Sequence, residues 1–325
     1  MTAGELAADN GTTGDATTVK ATPTDAAAGE RVAYQGEAGA FSEEALLTLL
    51  PRSVPVPHRT FQDVVAAVTS GSAAGGLLPV ENTLAGGVAA SFDALRAGRV
   101  HAVAEVVIPI RHFLMGPPGC TEAALRQVRS HPVALAQCQA FFRAHPQVAG
   151  IAVHDTAGAA REVAGEGDPS VAAIAPLGAA ARYGLEVVAR DLQDRDDNQT
   201  RFLLVRPGAW DEIEGPGGTP SPIGDPHANG DAHPAPGVLK TALVAETENR
   251  PGALHHLLGI FAHRGLDLTF IESRPAGTPW TYRFILEFRH ASREEAKACL
   301  EETRGAARTL DVLGTFPAFR GPSGR

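Results

Sequence analysis

The sequence predicts an α/β protein: a helix-covered parallel sheet followed by a smaller ferredoxin-like layer. Three observations carry this. From Arg31 to about Val205, short apolar strands alternate with segments of helical period, the pattern of helices crossing over a sheet. A glycine- and proline-dense stretch then runs from about Gly208 to Gly237 and stops regular structure. Beyond it the order is strand, helix, strand, strand, helix, strand, which gives two helices on an antiparallel sheet. At 325 residues the chain is long enough for about two domains.

The elements follow in order. Arg31-Val32-Ala33-Tyr34 reads as a strand ending at Gly36. A helix starts at Ser42, an N-cap candidate, with Glu43 and Glu44 favouring the positive end of its dipole. Phe61, Val64, Val65 and Val68 have helical spacing, and Gly76 to Val80 form a buried strand. Further strands are expected at about 100–108, 126–129, 150–153, 171–175 and 202–206. Helices fill about 88–97, 134–144, 156–165 and 177–182. In the tail, Thr241 to Ala245 is a strand. A helix from Pro251 to Arg264 places Leu254, Leu257, Leu258 and Phe261 on one face and stops at Gly265. Strands at about 267–274 and 280–288, a charged helix at 293–304 and a strand near 308–316 complete it. The domain reading is a disordered tail (1–29), an α/β module (30–207), a linker (208–237), a C-terminal domain (238–318) and a short tail (319–325).

Composition narrows the function. A net charge of −9 leaves no broad cationic field for nucleic acid or anionic lipid. No apolar run reaches the ~20 residues of a membrane helix, and the first residues lack a signal-peptide pattern. Cys120, Cys138 and Cys299 are far apart with no CxxC, which fits reduced thiols in a cytoplasmic protein. The histidines show no HExxH, so no metal site is expected.

Four segments end strands with reactive or ligand-holding groups. Gly36 to Ser42 is a glycine turn that either holds an anion on backbone amides or is simply a tight turn. Glu81-Asn82-Thr83, before Gly86-Gly87, either orients a small polar ligand or caps a helix. Ser130-His131-Pro132 through Gln137-Cys138 again follows a strand; Ser130 caps the next helix, or its hydroxyl and Gln137 also face a cleft. No GxSxG elbow supports a Ser/His/Asp hydrolase. Asp197-Asn198-Gln199-Thr200-Arg201-Phe202 delivers a hydroxyl and a fixed cation to a strand mouth, where open α/β sheets bind ligands. Arg201 suits a carboxylate because its fork binds bidentately, the alternative being an outward pair with Asp196 or Asp197.

These segments, in this order and with Arg250 to Leu254 and Glu272-Ser273-Arg274-Pro275 in the tail, resemble the prephenate dehydratase family. The resemblance covers about 31–207 plus an ACT domain at about 238–318. It implies two α/β lobes around a cleft, like a periplasmic solute-binding fold, and assembly into dimers or tetramers. The implied catalytic residue is Thr200. The implied substrate residues are Asn82, Ser130 and Gln137, with Glu81, Thr83, Arg201 and Phe202 beside them. Phenylalanine, the implied effector, is assigned to Asn249, Pro251, Gly252, Ala253 and Leu254, closed by Glu272, Ser273, Arg274 and Pro275. The implied substrate is prephenate, a small dianion, and no cofactor is needed because aromatisation drives the reaction. Tyr34-Gln35-Gly36, Val133 and the long linker depart from the family pattern. The first looks closer to plant arogenate dehydratases, one alternative reading; a non-catalytic amino-acid sensor is the other.

Overall fold

The computed structural model describes residues 29–213 and 234–319. Residues 1–28 of the expected N-terminal tail, most of the linker and residues 320–325 lie outside the described residues.

The first lobe is built from β1 (Arg31–Gln35), α1 (Phe41–Leu49), β2 (Val54–His58), α2 (Phe61–Thr69), β3 (Gly75–Asn82), β4 (Gly86–Gly87), α3 (Ala89–Ala97) and β5 (Val100–Pro109). β1 lies parallel between β2 and β3. The chain then builds a second lobe from β6 (Phe113–Gly116), β7 (Gln127–Ser130), α4 (Pro132–Ala136), α5 (Gln139–Ala144), β8 (Ala149–Ala152), α6 (Thr156–Glu166), β9 (Val171–Ala175), α7 (Leu177–Tyr183) and β10 (Glu186–Ala189). It returns through β11 (Gln199–Pro207), antiparallel to both β3 and β5.

This return corrects the expectation of an all-parallel sheet. The strand that leaves the first lobe and the strand that re-enters it run side by side, so they must point in opposite directions. Gln199 pairs with Pro109 at the boundary. The lobes also touch where Tyr183 donates a hydrogen bond to the Ala38 carbonyl at 2.8 Å.

Side chains on a strand alternate between faces, so β11 serves two cores. Phe202 and Leu204 pack with Val106 and with Leu46 of α1. Leu203 and Val205 pack the other way, with Val64, Phe92 and residues of the C-terminal domain.

The C-terminal domain comprises α8 (Trp210–Ile213), β12 (Pro234–Glu246), α9 (Ala253–His263), β13 (Leu268–Pro275), β14 (Tyr282–His290), α10 (Arg293–Ala306) and β15 (Thr309–Phe319). Its strands run in the order β13-β14-β12-β15. The faces of α9 and α10 bury Leu257, Phe261 and Leu300 against Leu243, Leu286 and Phe288. The other sheet face lies on the first lobe, where Phe270 stacks on Phe92 with centroids 5.4 Å apart. β15 joins β5 at Gly314 and Ala102, making one sheet of ten strands among the described residues. Any Cβ at Gly314 would run into the Ala102 backbone, which is why glycine stands there.

Three local expectations change. Ala40, not Ser42, is the N-cap of α1, and Ser42 is buried in its first turn. The helix expected at 134–144 divides into α4 and α5, because Asp194 accepts hydrogen bonds from the Gln139 and Ala140 amides and starts a new helix there. Trp210 is buried in the C-terminal core and β12 begins at Pro234, so both ends of the expected linker are regular structure.

Candidate active site

A cavity of about 320 Å³ opens between the lobes where β3 ends and β11 begins. Asn82 and Thr200 are directly paired across these strands and both line it. The Asn82 amide has a defined orientation. Its Oδ1 accepts from the Leu84 and Ala85 amides at 3.0 and 2.9 Å, so its Nδ2 is the donor. Nδ2 reaches Thr200 Oγ1 at 2.9 Å, Asn198 Oδ1 at 2.8 Å and the Gln199 carbonyl at 3.0 Å. With Oγ1 already accepting, the hydroxyl hydrogen of Thr200 is free to point at a ligand.

The network continues in one direction. Asn198 Nδ2 donates to Gln137 Oε1 at 3.0 Å, and His112 Nε2 does so at 2.9 Å. Burial lowers the His112 pKa, so the ring is neutral, with its hydrogen on Nε2 facing Gln137. Because Gln137 accepts twice through oxygen, its amide hydrogens remain for the cleft it lines.

The walls come from both lobes. Ala40, Phe41 and Ser42 begin α1; Asp155 and Thr156 begin α6. Exposed amides and the helix dipole make such starts suited to anions. None of the described side chains lining the cavity is Lys or Arg. Asp155 supplies a carboxylate; its Oδ1 caps α6 by accepting from the Gly158 amide at 2.7 Å, while burial raises its pKa.

Asn82, Gln137, Thr200 and Phe202 thus meet at one cavity, whereas four residues assigned to the substrate do not line it. Arg201 is adjacent to Thr200 and therefore points to the opposite face of the sheet. There it pairs with Glu81 at 3.0 Å and with the buried Glu105 and Glu287. Neither Arg201 nor Glu81 is placed to hold substrate, and Arg201 does not pair with Asp196 or Asp197 as in the alternative reading. Thr83 Oγ1 donates to the Asp197 carbonyl and accepts from the Gln199 amide, fastening β3 to the approach of β11. Ser130 is wholly buried and donates to the Ile174 carbonyl at 2.6 Å, tying β7 to β9; His131 caps α4 instead.

Sequence reasoning passed over His112, Asp155 and Thr156 as cleft residues. Asp155 and Thr156 were findable: they sit between an expected strand and an expected helix, at a strand's carboxyl end. His112 carries no comparable signal.

The effector segments lie in the C-terminal domain. Gly252 is the N-cap of α9 at φ 81° and leaves the helix start open. Glu272 to Pro275 belong to β13, with β14 standing between β13 and β12. Two strand spacings, about 9–10 Å, therefore separate them from the β12–α9 turn within one chain. Arg274 meets Asp93 of α3 at 3.6 Å, and a Cβ at Gly87 would collide with the Glu272 carboxylate.

A two-lobe cleft with a neutral hydroxyl–amide floor and two helix starts in its walls, joined to a separate ferredoxin-like layer, defines a site of the kind that enzymes build for a small polar molecule. Comparison with known proteins makes this specific. Residues 32–209 match the prephenate dehydratase family and residues 241–305 the ACT domain. The arogenate dehydratase/prephenate dehydratase 2 of Arabidopsis thaliana, a chloroplastic protein, is 37% identical over 88% of this chain and 72% of its own length. A prephenate dehydratase from Arthrobacter aurescens solved with L-Phe superposes with TM-score 0.74 at 29% identity, over 88% of this chain and 89% of its own. A structure described as a novel type of quorum-quenching acylase matches with TM-score 0.74 and 30% identity, over 89% of this chain and 98% of its own. The chain belongs to the prephenate dehydratase family. It is a dehydratase, a carbon–oxygen lyase, with a periplasmic-binding-protein-like catalytic module and a C-terminal ACT domain.

Proposed function

We propose that the chain converts prephenate to phenylpyruvate, with Thr200 donating to the departing hydroxyl and phenylalanine acting through the ACT domain. The observation carrying this is the Asn82–Thr200 hydrogen bond, which leaves the threonine hydrogen for the ligand. In the reaction the ring carboxylate leaves as carbon dioxide. Its bonding pair moves through the diene, the carbon–oxygen bond across the ring breaks, and hydroxide leaves with one proton as water. An aliphatic hydroxyl is too weak an acid to supply that proton outright; Thr200 stabilises charge growing on the oxygen, and water completes the transfer. The start of α1, whose N-cap Ala40 supplies no side-chain cap, holds a carboxylate, and the Gln137 amide orients the ring.

Losing one such preorganised donor costs ~10²–10³ in rate. Thr200→Val keeps the shape and is expected to lower kcat on prephenate by that factor with the fold intact. Turnover within tenfold of the parent would overturn the role.

Asp155 favours a second substrate. Its carboxylate in the cleft suits the ammonium of arogenate, where prephenate carries a keto group. Turnover of the two substrates measured side by side decides between them. An acylase reading fits less well: among the described residues, neither the Ser42 nor the Thr200 hydroxyl is hydrogen-bonded to a histidine that could activate it.

Phenylalanine control is supported by the open start of α9 and by Glu272 and Arg274, which contact the cleft-bordering stretch from Gly87 to Asp93. The separation of the effector segments within one chain favours a site completed by a second copy. Exposed Ile271, Trp280 and Tyr282 suit the same homo-oligomer, a dimer or tetramer. Three buried free cysteines suit a reducing, cytoplasmic setting. Binding of phenylalanine without turnover of either substrate would leave the sensor reading instead.

A further inference from the structure

We infer that Glu287 of the ACT domain is a positioning residue for the active site: acting through Arg201, it holds β11 in the register that aims Thr200 into the cleft. The inference rests on the proposed role of Thr200 and adds a residue from the regulatory domain to the catalytic arrangement.

β11 pairs with β5 in unbroken register from Gln199 to Leu204, but on its β3 side, the side that faces Asn82, the pairing is irregular. Thr200 pairs with Asn82 and Arg201 with Glu81, but Phe202 pairs with Pro79, so Val80 is skipped and the ladder is irregular immediately after Arg201. Proline has no N–H to donate to that ladder. A slip of one residue would turn Thr200 away from the cleft and bring a neighbour into its place. On the β3 side, side chains supply the hold that this ladder lacks.

Arg201 is placed to do this. Its guanidinium uses all three nitrogens on three strands: Nε to Glu81 of β3 at 3.0 Å, Nη1 to Glu105 of β5 at 3.1 Å, and Nη2 to Glu287 of β14 at 3.0 Å. Glu81 and Glu105 belong to the strands flanking β11; Glu287 comes from the other domain and is wholly buried. Phe270, also of the ACT domain, lies under the guanidinium at 5.9 Å. Lys240 completes the set by pairing with Glu105 at 3.0 Å. Arg201 and Lys240 against Glu105 and Glu287 make a buried group of balanced charge, with Glu81 at its more exposed edge.

The test must remove the Glu287 contact without stranding a charge. Glu287→Met with Lys240→Met removes that acceptor and leaves Arg201 balanced by Glu105. This full-length variant is assayed on prephenate without phenylalanine, with circular dichroism as the check on folding. The expected result is a folded protein whose kcat falls at least tenfold while KM stays within twofold. Introduced into the Thr200→Val background, the same pair should leave the residual rate unchanged, because the residue being positioned is gone. A folded variant with kcat within twofold of the parent overturns the inference. So does an equal loss in the Thr200→Val background, and so does failure to fold, which would make the cluster a requirement of folding alone. Thr200→Val by itself tests the role of the threonine, so the two ideas fail separately.

Discussion

The two faces of β11 hold opposite kinds of polar chemistry one residue apart. On the cleft side, Thr200, Asn82, Asn198, Gln137 and His112 are linked by hydrogen bonds between uncharged groups. On the other side, Arg201 sits among carboxylates shared with the ACT domain. A neutral network loses about one bond's worth of stability when a member is changed, and its donors stay free to turn towards a ligand. A buried ionic cluster behaves differently, because removing one partner strands a charge away from water. The comparison teaches a division of labour: the neutral face reacts, and the charged face anchors.

That division can be broken from either side. The largest expected effect on stability is at the anchor. Arg201→Met should lower unfolding free energy by about 3–5 kcal/mol, since buried carboxylates lose their counter-ion. A denaturant midpoint close to the parent's would show the cluster to be relaxed or protonated. The largest selective effect on activity belongs to the other face. Asn82→Asp replaces the donor to Thr200 with an acceptor at constant shape, and a loss of about a hundredfold in kcat is expected with about 1 kcal/mol of stability. Comparable loss of stability in the two variants would erase the contrast.

The smallest effect sharpens the comparison through pH. Burial holds His112 below the ordinary histidine pKa of 6.5. The unfolded chain therefore binds the proton more readily than the folded one. The stability from the neutral ring is complete above about 6.5 and declines as pH falls from there through the lowered folded value. His112→Asn should flatten this acid-side slope between about pH 7.5 and about pH 5, followed by denaturant midpoints. His290, also lowered by burial, keeps its own share. An unchanged slope would mean that His112 takes up its proton equally readily in the folded and unfolded chains.

Much of the fold was legible because hydrophobic period and turn residues report it locally. What was missed has tertiary causes. β2 carries Pro55 and Pro57, which speak against a strand, and it survives because it is the sheet edge. The division of α4 from α5 depends on Asp194, a cap supplied from far along the chain. That Thr200 and Asn82 border the cleft was readable from their place at strand ends. Arg201 was misassigned because its residue type outweighed its position: strand alternation, visible in the same six residues, already set it opposite Thr200. Ser130 and Thr83 had the right neighbourhood, but their hydroxyls are taken by backbone partners that no sequence pattern displays.

Because β15 is stitched to β5 and Trp210 is set into the ACT core, the covalent connection between residues 213 and 234 is not what keeps the two domains together. A protease cut in that interval should yield two fragments that travel as one particle through a sizing column. Genes encoding the halves separately should reconstitute a working enzyme when co-expressed.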